Sequence, residues 1–158
     1  MKPSMNKLIF LFTLFAFINV FASELPYDES ADAKAAIKQA QAEAKATNLP
    51  LIIVFGANWC EDCRALSAAI KTGKNSVKLS KEFKIVKVNV GNFDRNIDIA
   101  NSYGNPIKVG IPGAAILSPE GSVLYITKAG ELASARSMSD DGIYEFFKKA
   151  SKAPKSNS

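Results

Sequence analysis

An α/β domain, with a mixed sheet covered by helices on both faces, is the fold class this sequence predicts. Three observations lead there. Segments with helical spacing of apolar residues alternate along the chain with apolar runs of strand length. "LIIVF" (Leu51 to Phe55) is apolar without interruption, as a central strand buried on both faces requires. Late in the chain, "AAIL", "SPEG" and "SVLYIT" read as strand, turn and strand, a hairpin added to a sheet begun by a βαβ unit.

The elements follow in order. Lys2 and Lys7 precede the apolar run "LIFLFTLFAFI", and Val20 and Ala22 occupy the small-residue positions of a secretory cleavage site. A signal peptide over 1–22 and a periplasmic mature chain starting near Ser23 are therefore expected. The run falls short of the about 20 apolar residues of a transmembrane helix, so an uncleaved membrane anchor is the lesser alternative. With no cysteine near the cut, a lipid anchor there is not available.

Ser23 to Glu29 reads as a lead-in to a helix over about Ser30 to Ala46, with Ala33, Ile37, Ala40 and Ala44 on one stripe, stopped by Asn48 and Pro50. After the strand and the short link "GAN", a helix starts at the cysteines and runs to about Lys71. Cys63, Leu66 and Ile70 form its inward stripe, and Gly73 ends it. A short helix at Ser76 to Lys81 leads into "KIVKVNV", where Val86, Val88 and Val90 alternate with Lys87 and Asn89 as in a strand with two unlike faces. "GNFDRN" is a loop, Asn96 to Tyr103 a helix, and "GNPIKVGIPG" a glycine- and proline-rich loop. Beyond the hairpin, Ser139 caps a last helix with Asp140 and Asp141 in its first turn and an apolar face of Ile143, Phe146, Phe147 and Ala150. One globular domain is expected over 23–150, and a disordered polar tail over 151–158.

Composition narrows the function. At 158 residues, 47% hydrophobic and 22% charged, the chain fits one domain with an ordinary core. Removal of the leader takes away Lys2 and Lys7 and lowers the formal charge from +5 to +3. The lysines are scattered rather than clustered, so nucleic acid is not an expected partner. With no histidine anywhere, Ser-His and Cys-His hydrolases, C-x-x-C-H haem attachment and mixed Cys/His zinc sites are excluded.

Both cysteines lie in "NWCEDCRAL", two residues apart and directly behind the only tryptophan. In an exported chain such a pair would ordinarily be a structural bridge, but closing a loop of four residues contributes only about 2 kcal/mol, against about 4.7 for a loop of 100. A redox couple is the stronger reading. Cys60, expected at a helix N-terminus and exposed beside Trp59, has free backbone N–H groups and the positive dipole end beside its sulfur, which favour the thiolate. Cys63, one turn on and inward, is suited to resolve a mixed disulfide.

These residues resemble the thioredoxin-fold thiol–disulfide oxidoreductases, in their exported branch. "FGANWCEDCR" is similar to the family's strand-to-helix active-site segment, "VGIPG" (Val109 to Gly113) to its cis-proline loop, and "KVNV", "YG" and "KAGEL" fall in family order, over roughly Ser30 to Ala150. The resemblance implies catalytic Cys60 and Cys63. It also implies a cis Pro112 packed on them, an Ile111 backbone pairing with an extended substrate segment, and Trp59 as a wall of the substrate groove rather than a plain core aromatic. Disulfide-containing proteins would be the substrates and an inner-membrane carrier the electron donor. No cofactor and no resident metal are implied, and a monomer is expected.

Two departures from the family stand out. Thioredoxins carry a buried carboxylate six residues before the first cysteine, where this chain has Val54, so Lys87, the match to that carboxylate's partner, is expected to point outward. The dipeptide between the cysteines is Glu61-Asp62 instead of Gly-Pro or a histidine-containing pair. Two acids there offset the helix dipole and also oppose a Cys60 thiolate, which should tune the couple toward the reducing end. Two other readings remain open: a periplasmic Cu(I) carrier using both thiolates, and a thioredoxin-like adaptor with inactive thiols.

Overall fold

A computed structural model of the chain describes residues 25–152. The leader expected over 1–22 and residues 153–158 of the tail lie outside the described residues. Along the chain the elements are α1 (Ala33–Thr47), β1 (Leu51–Gly56), α2 (Glu61–Thr72), α3 (Ser76–Glu82), β2 (Lys84–Asn89), α4 (Ile97–Ser102), β3 (Gly113–Leu117), β4 (Val123–Ile126), a 3-10 turn (Ala135–Ser137) and α5 (Asp140–Ala150).

The sheet runs β2-β1-β3-β4, with β1 parallel to β2 and antiparallel to β3, and β3 antiparallel to β4. Strand side chains alternate between faces, and in β1 both faces are covered. Leu51, Ile53 and Phe55 pack with Ile37 and Ala44 of α1 and Ile99 of α4, while Ile52 and Val54 pack with Leu66 of α2, Leu79 of α3 and Phe147 of α5. This two-sided burial is why "LIIVF" contains no polar residue.

Local chemistry sets the helix ends. Asp32 caps α1, its side chain accepting from Ala35 N, so the helix begins three residues later than its spacing suggests. Asn48 ends α1 in the left-handed conformation, which asparagine tolerates. Ser139 caps α5 by accepting from Gly142 N. On α5, Tyr144 is buried beside Ile143 and Phe147, and Phe146 is only partly buried against them, a shift of the apolar face by part of a turn.

Candidate functional site

The cysteine pair sits where β1 hands over to α2. Cys60 is the N-cap residue of α2, and its Sγ accepts the Cys63 N–H at 3.2 Å. Ser, Thr, Asp or Asn usually caps in this way, so here a sulfur takes the place of a capping oxygen. Cys60 and Cys63 form a disulfide with their Cα atoms 5.2 Å apart. Cys63 is wholly buried, and Cys60, expected to be exposed, keeps only 7% of its surface. Opening of the disulfide would leave the Cys60 sulfur at the head of the helix with that N–H still aimed at it, which favours a thiolate.

Across from the pair runs the loop before β3. The Ile111–Pro112 bond is cis, and Ile111 O lies 3.7 Å from Cys60 Sγ. Thr127 holds this loop to the sheet by donating to Pro106 O at 2.8 Å while accepting from Ala114 N at 3.0 Å. At Gly113 the backbone comes so close to Pro106 that a Cβ would stand 2.4 Å from its carbonyl oxygen, so no other residue fits.

Trp59 forms a wall beside Cys60. Its side chain is 55% exposed, and its Nε1 donates to Gly91 O at 2.9 Å, which fixes the indole without burying it. Phe93, in the loop after β2, meets Trp59 edge-on with ring centres 6.3 Å apart and is itself exposed. Val109, on the cis-proline loop, is also exposed.

Glu61 and Asp62 are not free charges. Arg136, in the 3-10 turn before α5, pairs with Glu61, donates its backbone N–H to Asp62 Oδ1 at 3.0 Å and holds its Nε 3.8 Å from the same oxygen. No sequence signal pointed to Arg136.

Lys87 requires a correction. It does not point outward: its Nζ donates to Ser67 Oγ at 3.0 Å and lies 5.9 Å from the Tyr27 ring centre. The reason is register. Lys87 is paired with Val54 in the parallel β1–β2 ladder, so both side chains share the face that α2 covers. Lys87 and Asn89 of β2 therefore share the face of the active-site helix, and Asn89 is buried as well.

Tyr27, in the lead-in, carries no periodic signal in the sequence. It is buried with 1% exposure, in a cluster with Cys60 and Cys63 against which Ile111 packs. The Asn58 side-chain amide holds it on both sides, accepting from Tyr27 N at 3.0 Å and donating to Tyr27 O at 2.8 Å. A lone aromatic in a polar lead-in was the available signal. Among the described residues, no three or more Cys, Asp or Glu side chains gather as a metal site would need.

The family described as Thioredoxin-like matches residues 32–119, more than half of the chain. A thioredoxin of Rickettsia bellii (strain RML369-C) is 33% identical over 67 residues, 42% of this chain, and the match spans about 59% of that relative's length. Among solved structures, a disulphide isomerase from Xylella fastidiosa Temecula1 is 51% identical with a TM-score of 0.79, over 83% of this chain and all of that one. The C-terminal domain of Neisseria meningitidis DsbD in its oxidised form is 19% identical with a TM-score of 0.52, over 76% of this chain and 97% of that one, a likeness of fold. With the mixed sheet, the helices on both its faces and the Cys-x-x-Cys pair at the head of α2, these matches lead to one conclusion: the chain belongs to the thioredoxin-like family.

Proposed function

We propose that the protein is an exported thiol–disulfide oxidoreductase that reduces or isomerises disulfides in protein substrates. The observation that carries this reading is the Cys60 sulfur capping α2, with Cys63 one turn deeper and the Ile111–Pro112 loop across from both. The disulphide isomerase that is 51% identical supports it. Export rests on the composition of residues 1–22, and no helix among the described residues is long and apolar enough to cross a membrane.

The chemistry follows from the placement. The Cys60 thiolate attacks a substrate disulfide, forming a Cys60–substrate mixed disulfide and releasing one substrate thiolate. Cys63 then gives up its proton and attacks the Cys60 sulfur, closing the Cys60–Cys63 disulfide and releasing the second substrate thiolate. Two electrons have passed to the substrate, and an external dithiol, on this reading one kept reduced by an inner-membrane carrier, must reopen the pair. The protein acts as a monomer with Trp59 and the Ile111 backbone lining the groove.

Two single variants test this. Cys63→Ser should accumulate covalent complexes with substrate proteins, seen as thiol-sensitive bands on a non-reducing gel, while Cys60→Ser should give few or none and lose insulin reduction. Equal trapping by both variants would overturn the roles. Absence of trapping together with tight Cu(I) binding by the wild type would favour the copper carrier instead.

A further inference from the structure

Three features hold Tyr27 against the cysteines. The Asn58 amide grips its backbone from both sides. The next turn of the lead-in is tied down as well, Glu29 accepting from Asn58 Nδ2 on its side chain and from Arg95 Nη1 on its carbonyl, each at 3.1 Å. Gly56 leaves room for the ring, since a Cβ there would stand 2.4 Å from both the Cζ and the Oη of Tyr27. Gly56 and Asn58 both belong to the segment leading into the cysteines, so "FGANWC" is shaped to receive this residue.

The ring so placed ends in a buried hydroxyl with no hydrogen-bond partner. Buried polar groups are nearly always paired, and an orphan calls for an explanation. Charge does not supply one: burial pushes the phenol pKa well above its ordinary value, so the hydroxyl stays protonated and can only be a neutral donor or acceptor. The cation nearby, Lys87, stands over the ring face rather than at the hydroxyl and is itself hydrogen-bonded to Ser67. Tyr27 shares its buried cluster with the two cysteines, whose sulfurs are joined in this structure. A disulfide sulfur is a poor acceptor, whereas a thiolate is a strong one.

We propose that Tyr27 is a positioning residue for the cysteine pair: its hydroxyl, unpartnered while the disulfide is closed, donates a hydrogen bond to the buried Cys63 sulfur once the disulfide is opened. This rests on the oxidoreductase reading above. In the opening step an external dithiol supplies two electrons and two protons, becomes a disulfide, and leaves Cys60 and Cys63 as thiols in equilibrium with their thiolates. Tyr27 keeps its own proton throughout. It stabilises the reduced state selectively, because only that state offers a strong acceptor.

The test is the equilibrium of full-length protein with dithiothreitol, read as the ratio of alkylated dithiol to closed disulfide, for wild type, Tyr27→Phe and Asn58→Ala. Tyr27→Phe should shift the constant about tenfold toward the disulfide, which for a two-electron couple is about 30 mV lower. Asn58→Ala, which loosens the grip on Tyr27 but keeps the hydroxyl, should shift it in the same direction by less. Melting of the oxidised Tyr27→Phe protein should be unchanged or raised, and that of the reduced protein lowered. Equilibrium constants within twofold of wild type for both variants, or equal loss of melting temperature in both redox states, would make Tyr27 a packing residue and overturn the proposal. A wild-type pair that does not exchange with dithiothreitol at all would overturn the oxidoreductase reading itself.

Discussion

Replacing Arg136 by alanine tests whether the acidic dipeptide tunes the cysteine couple. Arg136 now neutralises Glu61 through an ion pair and fixes Asp62 through its backbone N–H and Nε. Without the guanidinium, two acids face the helix terminus that also supports the Cys60 sulfur, so the thiolate is less favoured and the reduced state is destabilised. The size is bounded by exposure. The Arg136 and Glu61 side chains are 58% and 63% exposed, and only Asp62 is sheltered, at 15%. Charges at an exposed helix end, like exposed ion pairs, are worth about 0.3–1 kcal/mol. That converts to a fall in reduction potential of about 5–20 mV. Equilibration with glutathione at low and high salt reads it, and the shift should shrink at 1 M salt, where the screening length is about 3 Å. The double substitution Glu61→Gln and Asp62→Asn should move the potential the other way and largely cancel the effect of removing Arg136. A rise in potential for Arg136→Ala, or a fall that ignores salt, would refute the electrostatic reasoning.

The wild-type couple should lie nearer the about −270 mV of thioredoxin than the about −120 mV of the strongly oxidising periplasmic oxidase, and a glutathione equilibrium giving a value above about −170 mV would reject a reducing-side pair. Glu61→His should raise it. Glu131 anchors the loop ahead of Arg136: partial burial opposes its charge, but hydrogen bonds from Lys128 N, Ala129 N and the Tyr125 hydroxyl outweigh that and hold its pKa below the usual glutamate range. A lowered folded-state value means the stabilisation is present above the ordinary glutamate range and lost as pH falls through the lowered value. Glu131→Gln should therefore cost up to about 1 kcal/mol at pH 7, and a denaturant titration should find no difference from wild type at pH 2.

What the sequence made legible was local. Cys60, Cys63 and Trp59 lie within five residues of chain, and a strand followed after four residues by a helix fixes where they stand. "LIIVF" and the hairpin carry their burial in their own periodicity. Arg136 escaped because it reaches Asp62 across 74 residues from a 3-10 turn that has no apolar repeat. Tyr27 escaped because one aromatic in a lead-in without periodicity looks the same whether it is exposed or buried. Lys87 was misplaced for a different reason. Alternation in β2 shows two unlike faces without saying which one meets water, and only the register against Val54 decides that the polar face lies under α2.

That register bears on how Cys63 loses its proton. Where thioredoxins place a carboxylate, the fully buried Val54 cannot accept one, and β1 offers no substitute on that face, where Ile52 is its other residue packed under α2. The polar groups gathered nearby are of the opposite kind. Lys87 is a donor with no acceptor capacity, and it fills one acceptor position of Ser67, one helical turn beyond Cys63, leaving that hydroxyl its own proton to give. Tyr27, kept protonated by burial, is a third donor. An environment of donors favours the Cys63 thiolate once it exists but cannot carry its proton away. On the oxidoreductase reading, with no carboxylate on this face of β1, the proton of the resolving step leaves with the departing substrate thiolate or through water reaching the opened site. Where thioredoxins have a carboxylate this chain has Val54, so on that reading the step depends on how readily the Cys63 thiol itself ionises.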